Sequence, residues 1–451
     1  MLRKYICLGN YTKIQIMLKD TYIKLLYGGL KITKQVSLSE IVNFEKSLFK
    51  DKTTVKPNYE LKGIEEILHR NEEIRLFYEY MKDIFREIPV SPGNVFIYGK
   101  PGLGKTIITK WCMTEVIKLA DIQNKNLCVI NINCEKIKSE HAVLQILNEK
   151  IPIPEGEKRK SIGNSLSKNN RYFTHLVNHY NGMIIIVFDE LDKATKPEMI
   201  NNIIRTKSEL TGQYPCVVCI TNNLNLIDTF PPHLQNTLGQ QELIINPYDA
   251  EQLQDILNAR VKTAFKPNTV EELVVPLCAA FAAQENGDAR KAIELLRVAG
   301  EIAEAKGNPV VVEQDVREAK DKIELNKIIE ATKKLPTQHK IALLACIYVF
   351  NSSIECNMKY IYTIYKRLCE YIDADILTQR RISDLLKELD QLGIIEGENF
   401  WKGKYGRKKI ITKIAFQSLI KETLFEDNRL EPFADISPSK FFFPQNSIAK
   451  K

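Results

Sequence analysis

The sequence has no apolar run long enough to cross a bilayer. Stretches such as Met183–Phe188 span only a few residues, whereas a membrane helix needs about 20. It has no secretory signal either, because Met1–Lys34 carries scattered lysines and no continuous apolar core. Without export, the ten cysteines read as buried thiols in a reducing cytoplasm, not as a disulfide framework. One CxxC spacing occurs, Cys216 and Cys219, but it encloses Val217 and Val218 in an apolar run. No second Cys/His pair lies nearby to complete a zinc site. His175 and His179 lack the carboxylate between them that HExxH order requires. No internal repeat is present, which excludes solenoid arrays. A strong charge bias is also missing. The net charge is +8 over 451 residues, which permits a nucleic-acid partner without demanding one, so the placement of charge matters more than its sum.

What is present is ordinary globular composition, 44% hydrophobic and 27% charged, in a chain too long for one core. Residues 1–45 show weak periodicity and read as an extension, or as the product of a start codon placed too far upstream. From there to residue 247, short apolar strands alternate with helical segments. The strands are Asn94–Tyr98, Leu127–Ile132, Met183–Phe188, Cys216–Thr221 and Gln241–Ile245; the helices are Thr106–Leu119, Glu140–Leu147 and Ile200–Leu210. Such alternation predicts βαβ units and a parallel sheet covered on both faces. Residues 248–333 then read as a helical lid, with helices over Asp249–Thr263, Val270–Ala283, Ala289–Ala305 and Glu313–Leu335. Residues 334–425 read as three helices and a β-hairpin, and residues 426–451 as a loose tail.

Gly99–Thr106 matches GxxxxGK[ST] between a strand and a helix, the context that gives the motif its meaning. Its glycines let backbone N–H groups close around phosphate oxygens, and the helix N-terminus adds a positive dipole end. Gly99, Lys100, Pro101, Gly102, Leu103, Gly104, Lys105, Thr106 and Ile107 form the expected phosphate-binding run. Lys105 is expected to reach the β- and γ-phosphates and Thr106 to ligate Mg²⁺. The strand Ile184–Phe188 delivers Asp189 and Glu190 to its C-terminal end. Asp189 is expected to hold Mg²⁺ and Glu190 to polarise the attacking water. An isolated acidic pair after a strand is commonly a solvated turn; its place downstream of a P-loop gives this one weight. Asp192 reads as a local cap or surface charge. Asn222, after the next strand, takes the position that orients the lytic water, with a simple turn as its other reading. In the lid, Arg290 stands in the first turn of a helix, where it can swing over the γ-phosphate or lie on the surface.

Thr378–Leu392 has Ile382, Leu385, Leu386 and Leu389 on one face, with Thr378, Gln379, Arg380, Arg381 and Lys387 elsewhere. Gly393 ends that helix, and Lys402–Lys409 reads as a hairpin tip. From Phe400 to Lys413 there are six Lys/Arg and no acidic residue. This is a helix-turn-helix with a basic wing. It suits phosphate or minor-groove contact by Lys402, Lys404, Tyr405, Arg407 and Lys408, and major-groove contact by Thr378, Gln379, Arg380 and Arg381. A winged helix used for protein contact is the other reading. Tyr360, Tyr362 and Tyr365 read as core packing.

Several segments are more specific. Leu61–Ile74, Asn94–Lys100, Phe188–Asp192, Pro247–Leu253, Glu285–Arg290 and Leu377–Ile382 resemble the archaeal replication initiators. These are AAA+ proteins related to the largest subunit of the origin recognition complex and to the cell-division-control helicase loader. The resemblance covers roughly residues 45–415. It implies an α/β fold: a RecA-like αβα base, a helical lid and a C-terminal winged-helix domain. It implies binding of ATP or ADP with Mg²⁺, binding of double-stranded origin DNA, and recruitment or loading of the replicative helicase. Slow hydrolysis, assembly with like subunits and a cytoplasmic, nucleoid-associated location follow from the same resemblance. By it, Tyr248 and Arg260 lie against the nucleotide base or ribose, His69 and Arg70 sit near the adenine, and Arg290 is the lid sensor. Read from the residues alone, Tyr248 is equally a core aromatic. The family carries arginines before the segment that here reads Pro232–Gly239, where His233 and Gln235 stand instead. It also carries a DNA-contacting helix in the insert that here is Ile151–Tyr172 with Lys158, Arg159 and Lys160. A helicase loader acting mainly through protein contacts and a nucleotide-regulated transcription factor are the competing functions.

Overall fold

The computed structural model describes residues 47–56, 59–154, 156–159, 165–196, 199–238, 241–352, 354–401 and 407–442, with the backbone alone at residues 237, 399–401, 407 and 408. The chain divides into two units, residues 1–48 and 49–451. The expected extension 1–45 therefore lies outside the described residues, as do Lys160, Lys402, Lys404, Tyr405 and the end of the tail.

In the second unit, β1 (Val95–Tyr98), β2 (Leu127–Asn133), β3 (Met183–Asp189), β4 (Cys216–Thr221) and β5 (Gln241–Ile244) form a parallel sheet of order β2-β3-β4-β1-β5. Every residue of β1 and β4 is buried, as a sheet covered on both faces requires. Edge strand β5 alternates buried Leu243 with exposed Glu242 and Ile244. The covering helices are α1 (Asn71–Met81), α2 (Lys105–Ile122), α3 (Glu140–Lys150), α4 (Leu166–His179), α5 (Ile200–Arg205) and α6 (Pro232–Leu238). This order puts the strand after the P-loop, β1, and the strand bearing Asp189, β3, on either side of β4. The C-terminal ends of the three strands open on one crevice.

Helix α4 takes up the last part of the insert, from Leu166, and buries Tyr172, Phe173, Leu176 and Val177. One expectation here needs correction. The segment expected to be helical to Leu210 stops at Arg205. Beyond Ile204 it has no apolar residue to bury, since Leu210 is exposed. The Ser208 N–H instead donates to the Gln213 carbonyl at 2.8 Å and closes a turn.

The lid contains α7 (Ala250–Ala264), α8 (Val274–Gln284), α9 (Ala289–Lys306) and α10 (Glu313–Lys334). Asp249 and Gln252 form a reciprocal capping box on α7, at 2.8 and 3.2 Å. The Asp288 carboxylate caps α9 by accepting from the N–H groups of Arg290 and Lys291. Helix α8 starts at Val274, later than the expected Val270, because Val270 bridges to Val311.

The C-terminal region comprises α11 (Thr337–Phe350), α12 (Met358–Tyr371), α13 (Gln379–Gln391), the antiparallel pair β6 (Ile395–Trp401) and β7 (Arg407–Ile414), and α14 (Gln417–Phe425). This is a winged helix, as expected. Its tail is not loose through residue 442. Leu430, Phe433 and Phe441 are buried in the domain core, and the Phe433 and Phe441 rings meet at 5.7 Å. Arg367 Nη1 donates to the Phe441 carbonyl at 2.6 Å. Irregular backbone carries these side chains, so no periodicity marks them in the sequence. No helix among the described residues is long and apolar enough to cross a membrane.

Candidate nucleotide and nucleic-acid sites

The loop between β1 and α2 turns through Gly102 (φ +81) and Gly104 (φ +89), left-handed conformations that favour glycine. Leu103 packs beneath them, fully buried. Lys105 opens α2, and its ammonium donates to Gly99 O and Lys100 O, both at 2.7 Å, and to Asn222 Oδ1 at 2.8 Å. P-loop lysine and β4-end asparagine are thus in direct contact. Burial, with repulsion from Arg290 next, lowers the Lys105 pKa to about 8 against the pull of Asp189, Asp192 and Glu190.

Thr106 Oγ1 donates to both Asp189 oxygens, at 3.1 Å each. A hydroxyl and a carboxylate converging there form the hard-oxygen donor set that suits Mg²⁺. Asp189 is held above the usual carboxylate range by burial, against the Thr106 hydrogen bond. Glu190 is also raised, by burial first and then by Glu135 and Asp189. It adopts φ 54, ψ 46, a left-handed conformation that is costly for a non-glycine residue and is found at functional sites.

Asp192 has a role that sequence reading missed. One carboxylate oxygen accepts from Thr221 Oγ1 at 3.0 Å and from the Asn222 backbone N–H at 3.1 Å. It ties the end of β4 to the loop after β3 and so fixes Asn222. The available signal was the adjacency of those two strands, which one sequence does not display.

Lys105, Thr106, Asp189, Glu190 and Asn222 line a cavity of about 640 Å³ together with Ile107, Tyr248, Arg260 and Arg290. Part of its wall is Tyr59, Glu60, Leu61, Glu66, Ile67 and Leu68, a segment given no site role beforehand. Arg260 pairs with Glu66 at 3.3 Å and lies 4.7 Å from the Tyr59 ring centroid. Tyr248 is buried, which raises its pKa. His69 and Arg70 stand next to this wall, in the turn that follows Leu68. The Arg70 guanidinium stacks behind Tyr248 and donates to Asn246 O at 2.8 Å. His69 Nε2 pairs with Asp255 Oδ2 of α7 at 2.8 Å.

The lid meets the phosphate loop directly. Lys100 Nζ donates to Asn286 Oδ1 at 2.6 Å. A Cβ added at Gly102 would fall 1.8 Å from Asp288 Oδ1. Gly287 (φ +64) lies against the Tyr248 backbone, where a Cβ would come within 2.3 Å of its carbonyl. Pro101 is exposed on the loop's outer side.

In the winged helix, Thr378 uses its hydroxyl to cap α13. Gln379, Arg380 and Arg381 are exposed at that helix start. Arg381 lies 3.7 Å from Glu388, which also takes His339 at 2.7 Å. Arg407 and Lys408 begin β7, opposite Trp401 and Phe400. Two of the basic residues from Phe400 to Lys413 are committed within the domain, Lys409 to Asp390 at 2.5 Å and Lys413 to Glu396 at 2.7 Å. In the insert, Arg159 donates to Asn148 O and Ile151 O at the end of α3, so its guanidinium caps a helix. Gln235 of α6 is held by Phe230 O at 2.8 Å. Neither histidine pair nor CxxC belongs to a metal cluster among the described residues: His175 pairs with Glu157, and Cys216 and Cys219 are buried in β4.

Comparison with known proteins agrees with this architecture. Residues 95–245 match the model of the ATPase family associated with various cellular activities. Residues 254–321 match the Cdc6 AAA+ ATPase-type lid domain, and residues 330–422 the CDC6 C-terminal winged helix domain. The chain is 37% identical to ORC1-type DNA replication protein 1 of Methanosarcina mazei, over 88% of this chain and 95% of that one. It is also 37% identical to the ORC1-type DNA replication protein of Pyrococcus furiosus, over 89% and 96%. Among solved structures it is similar to the Aeropyrum pernix ORC1 protein in complex with DNA, with TM-score 0.69, 30% identity and coverage of 85% and 98%. A phosphate-loop base, a Cdc6-type lid and a winged helix in one continuous match place this chain in the family of ORC1-type DNA replication proteins.

Proposed function

We propose that this chain is a nucleotide-controlled initiator that binds duplex DNA at a replication origin and helps bring the replicative helicase to it. The observation that carries this reading is the direct seam between the phosphate loop and the lid, Lys100 to Asn286 and Gly102 against Asp288. A ligand that moves the loop moves the lid, and α10 joins the lid to the winged helix. Nucleotide occupancy thereby sets how the winged helix is presented.

At the site, Lys105 holds the phosphates, Asn222 orients water and Glu190 takes a proton from it. The raised Glu190 carboxyl is a stronger base than an ordinary carboxylate. Thr106 and Asp189 would hold Mg²⁺, which would supply charge neutralisation at the phosphates. Tyr248, Ile256 and Arg260 wall the side of the cavity that suits base and ribose. Arg380, Gln379 and Arg381 enter the major groove and the basic hairpin follows phosphate. Assembly with like subunits and a cytoplasmic, nucleoid-associated location belong to the same reading.

The test is recovery of sheared host genomic DNA by the purified chain with ATP near physiological salt, followed by sequencing. Enrichment at one or a few intergenic loci, lost in Arg380→Ala/Arg407→Ala protein, is the expected result. Uniform recovery, or none, would sink origin binding and favour a loader working through protein contacts.

A further inference from the structure

The cations lining the nucleotide cavity are Lys105, Lys110, Lys136, Arg260 and Arg290. Lys110 is paired with Glu60 at 3.1 Å and Arg260 with Glu66 at 3.3 Å. Lys105 donates to three oxygens. Arg290 and Lys136 differ from these, since neither side chain has a hydrogen bond or ion pair with a described residue. Arg290 is the lid cation already discussed. Lys136 comes from the opposite end of the sheet order, in the turn after β2.

That turn is fixed to the catalytic strand. Asn133 stands in register with Asp189. The Cys134 N–H donates to the Asp189 carbonyl at 2.8 Å. Asn133 Oδ1 accepts from the N–H groups of Glu135 and Lys136, at 3.0 and 3.2 Å. The turn that carries Lys136 is therefore anchored to the strand that bears Asp189. Lys136 lines the same cavity as Asp189 and Glu190, and an extended lysine side chain reaches roughly 6 Å from its backbone.

We propose that Lys136 is a catalytic residue, a cation supplied by the same chain that donates a hydrogen bond to the phosphoryl group in transit. The proposal rests on the nucleoside-triphosphate hydrolysis read above. In that step a water oxygen forms a bond to the γ-phosphorus as Glu190 accepts its proton. The bond from the γ-phosphorus to the bridging oxygen breaks, and its electron pair stays on the β-phosphate of the diphosphate product. Lys136 stays protonated throughout. It donates to the equatorial oxygens over which the transition state spreads its charge, in a geometry reached only there, and so acts on turnover more than on affinity.

The experiment uses the full chain as wild type, Lys136→Ala and Lys136→Arg. It measures single-turnover ATP hydrolysis, affinity for a fluorescent ADP, and retention of that ADP with aluminium fluoride as the phosphoryl mimic. In Lys136→Ala, ADP affinity should stay within about twofold, while hydrolysis falls about tenfold or more and aluminium fluoride no longer slows ADP release. Lys136→Arg should recover both. Lys136 is exposed, so folding is not at stake. Unchanged hydrolysis and retention in Lys136→Ala would overturn the proposal, and so would an equal loss of ADP affinity, which marks ground-state binding. Wild-type protein that neither binds nor hydrolyses nucleotide would overturn the underlying ATPase reading instead.

Discussion

The Arg70 guanidinium lies 3.7 Å from the centroid of the Tyr248 ring. Arg70 is only 2% exposed, and the same group bonds Glu73 Oε1 and Asn246 O, each at 2.8 Å. It is a buried strut that holds the Tyr248 ring against the cavity. Replacing Arg70 with alanine leaves Glu73 and the Asn246 carbonyl without their donor. The expected cost is about 2–4 kcal/mol of stability, together with weaker nucleotide binding as Tyr248 loosens. Denaturant unfolding and ADP titration check both. Wild-type stability would remove Arg70 from this role.

Nucleotide affinity should fall with rising pH above about 8. The Lys105 amine is lowered to about 8 by burial and by Arg290. Below that pH it is already charged, and phosphate binding takes up no proton. Above it, binding must bring a proton with it, so affinity declines. The linkage to folding runs the other way. A lysine whose folded pKa lies below the ordinary value of 10.5 disfavours the fold below pH 8, and that penalty is relieved as pH rises from about 8 to 10.5. ADP titration from pH 7 to 9.5 reads the first effect. A flat profile would contradict it.

Asp192→Ala should separate binding from turnover. The substitution frees Thr221 and the Asn222 backbone, so Asn222 no longer aims at one place. ADP affinity should change little, while hydrolysis should fall about tenfold. Asp192→Asn, which keeps an acceptor oxygen, should retain more activity than Asp192→Ala. Equal turnover in all three proteins would return Asp192 to a surface role.

Phe433→Ala should destabilise the winged helix by about 3–5 kcal/mol. Phe433 is fully buried and packs on Tyr371 at 5.4 Å and Phe441 at 5.7 Å. Thermal unfolding and DNA affinity should both report the loss, whereas ADP affinity should hold. Unaltered melting would mean that the tail only rests on the domain.

Much of the base is legible in the sequence alone. Strands β1, β3 and β4 are buried on both faces, so they stand in the sequence as bare apolar runs. The phosphate loop is legible for a similar reason, because its geometry is local and each residue type answers to a neighbour in the chain. Helix α4 was less visible. Its buried side chains, Asn169, Tyr172, Phe173, Leu176 and Val177, share a polar stretch with Lys168, Asn170 and Arg171, and two asparagines blur the pattern. Asn148 and Asn169 bond each other inside the fold, which only tertiary packing explains.

By itself the sequence determined the parallel sheet, the phosphate loop, the acidic pair Asp189 and Glu190 and the winged helix, since these follow from periodicity and short-range spacing. Only the tertiary structure decided that Asp192 braces Asn222 and that Arg70 stacks on Tyr248. The same holds for Tyr59–Leu68 as a cavity wall and for Lys136 lining the same cavity as Asp189 and Glu190. Each of those roles depends on which strand or helix lies alongside in space, and separation along the chain carries no trace of that.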